Sequence, residues 1–124
     1  MIADTTFLSD FHDEHQGQVV GPARHFLATH RNQPLRITVI SVGEIAVIFD
    51  TNAQARDFLS RFFVVKNIHH QIAYTAASID RETLDQRLGE NDLWIAAFCR
   101  YYGEPIISRD QAFDRVRGLR RLQY

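Results

Sequence analysis

Apolar positions along the chain alternate between short runs and longer stretches with helical spacing. Met1 to Asp4 is apolar up to its acid and reads as a short buried strand. Thr5 then opens a helix to about Glu14, and the polar stretch Asp13 to Gly17 stops it. Val19 to His30 predicts a second helix, with Val20, Ala23, Phe26 and Leu27 along one side. After the Asn32-Gln33-Pro34 turn, Leu35 to Val39 is rich in β-branched residues and predicts a second strand. Ser41 is expected to cap the next helix, with Glu44 completing an S-x-x-E capping pattern and the helix reaching about Phe49. Asp50, Thr51 and Asn52 break that helix and open another to about Phe63. Val64 and Val65 give a brief third strand, and His69 to Gln86 a long helix bounded by Leu88-Gly89. Glu90 to Tyr102 is a further helix, stopped by Gly103 and Pro105. Ile106 to Ser108 reads as a strand, Asp110 to Val116 as a short helical turn, and Leu119 to Tyr124 as a final strand.

The order β-α-α-β-α-α-β-α-α-β-α-β predicts an α/β fold, a three-layer α/β/α sandwich around a mainly parallel sheet. No repeat, low-complexity tract or linker divides it, so residues 1–124 are expected to form a single domain. Hydrophobic residues at 45% and charged residues at 23% are an ordinary globular balance. One cysteine, Cys99, excludes an internal disulfide and favours a reducing compartment; within WIAAFC it reads as a buried apolar residue. The opening MIADTTFLSD has no basic start and no long apolar run, and no stretch reaches membrane-spanning length. A soluble, cytoplasmic protein is the expectation.

Charge changes the picture through its distribution. The net charge of −1 gives no support for polyanion binding, yet Arg109, Arg115, Arg117, Arg120 and Arg121 crowd the last sixteen residues. A basic rim beside an acidic centre attracts a polyanion without a basic average. A solvated tail explains the same arginines equally well.

The acids fall at telling places. Asp4 ends the first predicted strand, Asp110 follows the Ile106 to Ser108 strand, Glu44 lies just inside the helix after the second strand, and Asp92 lies in the first turn of the helix after Gly89. Sites in parallel α/β sheets form outside the carboxyl ends of the strands, so three of these acids share one edge and the fourth is expected to face it. Each has a local explanation: Asp4 and Asp110 as caps, Glu44 in a capping box, Asp92 at a helix N-terminus. All four together suggest a cation site, because clustered carboxylates repel one another unless a cation lies between them. Hard oxygen ligands select Mg²⁺ or Mn²⁺ over zinc. The histidines agree. His69 and His70 are adjacent and point about 100° apart on a helix, while His12 and His15 lack a third ligand at suitable spacing.

These segments resemble the PIN-domain family. MIADTTFLSDF is similar to its opening, a short strand ending in Asp-Thr-Asn/Ser before an apolar helix. TVISVGEIA resembles its second motif, and RLGENDLWIAAFCRYYGEPIISRDQAF resembles the third and fourth together. The motifs occur in order across nearly the whole chain, and ENDLWIAA followed by ISRD is the specific part. The segment from Asp50 to Gln86 matches no family pattern.

The resemblance implies a Mg²⁺- or Mn²⁺-dependent ribonuclease of the VapC toxin type, hydrolysing RNA phosphodiester bonds. Carried over by motif, Asp4, Asp92 and Asp110 are the principal metal ligands and Glu44 a ligand or water-orienting group. Thr6 stands where the family has Asn or Ser and is expected to bind Asp110 or a metal-bound water. Glu90 is a candidate supporting acid. Arg109 is the best-placed RNA contact, with Arg115 and Arg117 behind it. A small antitoxin partner and a homodimer are also implied. The stripe Phe58, Leu59, Phe62 and Phe63 reads as core, with a share available to line a groove for a partner helix. The competing interpretation is a non-catalytic PIN-like module binding RNA or protein, which the complete acid set disfavours. A phospho-accepting receiver domain built on Asp50 lacks paired acids after the first strand and a lysine after a late one. A phosphatase fails because Asp4-Thr5-Thr6 lacks a second Asp.

Overall fold

The computed structural model describes residues 1–124. Five parallel strands form one sheet: β1 (Ile2–Ala3), β2 (Arg36–Thr38), β3 (Val64–Lys66), β4 (Ile106–Ile107) and β5 (Arg121–Leu122), in spatial order β3-β2-β1-β4-β5. Six α-helices lie between them: α1 (Thr5–Gln16), α2 (Pro22–Thr29), α3 (Val39–Ala46), α4 (Asn52–Phe62), α5 (His70–Glu82) and α6 (Glu90–Tyr102). A 3₁₀ turn at Gln111–Arg115 precedes β5. The element order is the one the sequence predicts.

The strands are short, and the sheet is covered on both faces. Ile2, Ala3, Ile106 and Ile107 are all fully buried, as expected of strands that read as unbroken apolar runs. Successive strand residues point to opposite faces. Ile2 and Ile106 accordingly join the core built from α5, α6 and the 3₁₀ turn, with Ile72, Ile79, Ile95 and Phe113. Ala3 and Ile107 join the opposite core with Phe7, Phe11, Phe26, Ile45, Phe58 and Leu59. Phe58, Leu59 and Phe63 are thus core residues.

Helix α6 carries the longest unbroken run of buried residues. Ile95 through Cys99 are all buried, and burial pushes the Cys99 thiol well above its ordinary range. Gly103 ends the helix at φ +65°, where it closes a turn in which the Glu104 N–H donates to the Cys99 carbonyl at 2.9 Å.

Two predicted helix starts are corrected. Helix α2 begins at Pro22 and not at Val19. Proline at the first position suits a helix start, and Gly21 is the cap. Val20 lies outside the helix and is 73% exposed, so it packs on nothing. Helix α3 is capped by Thr38 and not by Ser41: the Thr38 hydroxyl accepts from the Ser41 N–H at 3.4 Å. The strand therefore stops at Thr38, Val39 opens the helix, and Ser41 is buried inside it with its hydroxyl unpaired. The helix ends at Ala46, short of Phe49.

Glu14 takes the part of a missing cap on α2. Its carboxylate accepts from the Ala23 and Arg24 N–H groups at 3.0 and 2.8 Å, tying the end of α1 to the start of α2. A Cβ on Gly21 would lie 2.3 Å from Glu14 Oε1 and would push that side chain off the helix end. Gly21→Ala is expected to destabilise the fold by about 1 kcal/mol. Gly43→Ala, in open space inside α3, is expected to stabilise it by up to about 1 kcal/mol. Urea unfolding of the two variants checks the opposite signs.

Candidate metal-dependent active site

The chain runs β1, β2, β3 toward one edge and then crosses to β4 on the other side of β1. That reversal opens a crevice beyond the carboxyl ends of β1 and β4, the place where open parallel sheets hold their ligands. Asp4 follows β1 directly. The register pairs Ala3 with Ile107, which sets Asp4 beside Ser108.

Asp4 is only 2% exposed and is held from three sides. It caps α1 by accepting from the Phe7 N–H at 2.8 Å, and it accepts from the hydroxyls of Thr6 and Ser108. Burial pushes its carboxyl above the ordinary range, against the lowering effect of those donors, and Asp110 adds to the rise. The Ser108 hydroxyl also accepts from the Asp110 N–H at 2.9 Å, so one side chain holds the carboxylate of Asp4 and the backbone of Asp110. Asp110 in turn caps the 3₁₀ turn through the Ala112 N–H at 2.8 Å.

Glu44 reaches the same region from α3. With Thr38 serving as cap, Glu44 is free of the capping box. Its carboxylate accepts from the Thr5 hydroxyl and from the Asn91 amide at 2.8 Å, bridging α1, α3 and α6. Asp92 sits in the first turn of α6. Its carboxyl is pushed up to about 6, first by burial and then by Asp110, Asp4 and Glu44 in that order. A helix N-terminus ordinarily favours the carboxylate, and here crowding by like charge and burial outweigh it.

The four acids therefore share one electrostatic environment. Their oxygens are the donor chemistry of a hard divalent cation. As arranged, no group of three or more His, Cys, Asp or Glu side chains converges as a cation cage. Asp4 and Glu44 are engaged by neighbouring hydroxyl and amide donors.

The remaining candidates divide. Thr6 binds both oxygens of Asp4 and not Asp110. Glu90 is exposed at the start of α6, with no side-chain hydrogen bond or ion pair. Arg109 lies at the edge of the crevice, paired with Asp10 of α1. Arg115 and Arg117 are exposed and unpaired, and Arg117 lies close enough to Glu82 to help lower its carboxyl, toward the end of α5. Sequence reasoning overlooked Thr5, Asn91 and Ser108. Asn91 and Ser108 were in view inside END and ISRD, but their partners lie 47 and 104 residues away.

The Asp92 value has a consequence for stability. A carboxyl raised from 3.8 to about 6 on folding contributes stability that is present in full below 3.8 and is lost as pH rises through about 6. Asp92→Asn is therefore expected to raise the melting temperature near neutral pH, with the gain vanishing in acid. Thermal melts of both proteins across that range check the sign.

The sequence matches the PIN domain family over residues 1–119. A search of characterised protein sequences found no significant match. Among solved structures, VapBC2 from Rickettsia felis bound to a DNA fragment from their promoter contains a chain that aligns with a TM-score of 0.83 at 14% identity, covering 99% of this chain and 97% of that one. DNA-bound VapBC from Salmonella typhimurium aligns at 0.78 with 19% identity, covering 98% and 96%. A toxin-antitoxin complex from Klebsiella pneumoniae aligns at 0.73 with 23% identity, covering 95% and 93%. At such identities the structural likeness speaks to the fold, and the match along nearly the whole sequence speaks to descent: this chain belongs to the PIN domain family.

Proposed function

We propose that the protein is a Mg²⁺- or Mn²⁺-dependent endoribonuclease, the VapC-type toxin of a type II toxin-antitoxin pair. The observation that carries this reading is Asp92, half-buried in the first turn of α6, with the charges of Asp110, Asp4 and Glu44 all acting on its carboxyl. PIN domains generally use divalent metal ions. A protein gains nothing in stability by gathering four acids there, and a cation would offset their repulsion.

Asp4, Asp92 and Asp110 would hold the ion, with Glu44 either joining them or orienting the attacking water. When bound, a divalent ion polarises the phosphate and lowers the pKa of water for attack at phosphorus. Asp4 is fixed by Ser108, Thr6 and the Phe7 N–H, so it offers a preformed oxygen. Asp92, raised by burial and by the three other acids, would be relieved of that crowding by a bound cation. Glu44, held by Thr5 and Asn91, lies where it can steer a water from the α3 side. Arg109 supplies positive charge at the rim for the RNA strand.

The antitoxin part of the reading rests on a second feature. An apolar groove of about 660 Å³ runs between α3, α4 and β3, lined by Val42, Ala46, Ala55, Leu59, Phe63 and Val65. Leu59 and Phe63 belong to the stripe singled out from the sequence. The solved complexes from Rickettsia felis and Salmonella typhimurium are of VapBC pairs. A helical antitoxin segment suits such a groove, and pairing of two copies through helices belongs to the same proposal.

Purified protein is expected to cleave structured RNA with Mn²⁺, and Asp92→Asn to slow cleavage by about a hundredfold or more. Cleavage under no metal condition, with antitoxin absent, would favour the non-catalytic binding module. Millimolar Mn²⁺ is expected to raise the melting temperature of the parent protein, and to raise it less for Asp92→Asn. An unchanged melting temperature in the parent counts against a formed cation site.

A further inference from the structure

Beside the acid crevice lies a second cluster, made by α1, the segment after β4 and the end of the chain. Asp10 Oδ2 accepts from the Tyr124 hydroxyl at 2.6 Å and pairs with Arg109 Nη2. The Arg109 guanidinium lies over the Tyr124 ring, 5.3 Å from its centroid. The ring meets Phe7 edge-on at 4.8 Å, and the Thr6 hydroxyl bears on the phenol. Tyr124 is thus seated on the buried Phe7, tied to Asp10 and stacked beneath Arg109.

We propose that Asp10 and Tyr124 are positioning residues that hold the Arg109 guanidinium at the rim of the acid crevice as a ready-made contact for an RNA phosphate. This rests on the ribonuclease function proposed above.

Three observations support it. Packing on Phe7 accounts for the Tyr124 ring, but stability does not explain the Arg109–Asp10 pair, because the Arg109 side chain is 54% exposed and an ion pair so open to water contributes little. Its donors are only partly spent: Nη2 serves Asp10 and the Tyr124 phenol bears on the guanidinium, leaving the other N–H groups of the planar fork for a phosphate. Its chain neighbours Ser108 and Asp110 are fixed as well, since the Ser108 hydroxyl donates to Asp4 and accepts from the Asp110 N–H.

The other late arginines lack this combination. Arg121 is fixed, but it spends its donors on Asp114 and the Ser108 carbonyl. Arg115 and Arg117 have free donors and nothing to hold them. An unrestrained arginine gives up rotamer entropy on binding. Stacking and pairing order the Arg109 side chain before RNA arrives, so a larger share of the contact appears as affinity.

The test is RNA binding by fluorescence anisotropy, with a labelled hairpin RNA and the slow-cleaving Asp92→Asn protein as parent. Arg109→Ala, Tyr124→Ala and Asp10→Ala are each expected to weaken binding about five- to tenfold. Tyr124→Phe keeps the ring under the guanidinium and is expected to stay within about twofold. Because Tyr124 acts through Arg109, the Tyr124→Ala and Arg109→Ala double variant is expected to bind no more weakly than Arg109→Ala alone. Thermal melts identify any variant that fails to fold, and Tyr124→Phe with Asp10→Asn then carries the comparison. Unchanged binding by Tyr124→Ala, additive effects in the double variant, or tighter binding by Asp10→Ala each overturns the proposal while leaving the ribonuclease reading intact. A parent that binds no RNA overturns both.

Discussion

β1 is two residues long and is hydrogen-bonded to a neighbour on both sides, with β2 at one edge and β4 at the other. No other constraint does as much. Because the pairing is parallel and in register, the residues that leave β1 and β4 emerge at the same end of the sheet. Asp4 and Ser108, 104 residues apart in the chain, meet there as a direct result. The two apolar cores follow from the same strands, whose alternate residues face α5 and α6 on one side and α1 and α4 on the other. A polar side chain at Ile2 or Ile106 would disturb both the pairing and the placement of the acids.

What the sheet gathers, electrostatics resists. Asp4 is buried with its charge shared among three donors, whereas Asp92 has burial and three acids against it and no donor among the leading influences. Burial raises both carboxyls, and they differ in what opposes it: Asp4 is held by donors, and Asp92 has none. In the proposed cation site, bound positive charge would offset the same crowding that weakens the fold without it.

Much of this was legible in the chain. The order of strands and helices followed from periodicity, since α6 and the strands carry strong apolar runs and clear stops at Gly103 and Pro105. Asp4, Glu44, Asp92 and Asp110 could be placed because each lies close to a strand end or a helix start. The errors share one cause, which is that a local pattern has more than one reading. The S-x-x-E of Ser41 and Glu44 looked like a capping box, but Thr38 precedes it and can cap as well; burial of Ser41 decided between them. The roles of Thr5, Asn91, Asp10 and Tyr124 depend on partners reached only through the fold, and no spacing announces them.

The one thiol of the chain lies in the middle of the most protected helix. Burial disfavours its thiolate, so an alkylating reagent can act only on molecules in which α6 has lifted from the sheet. Cys99 is therefore a built-in clock. Its labelling rate counts the openings of the half of the molecule that carries Asp92, without a probe having to be introduced.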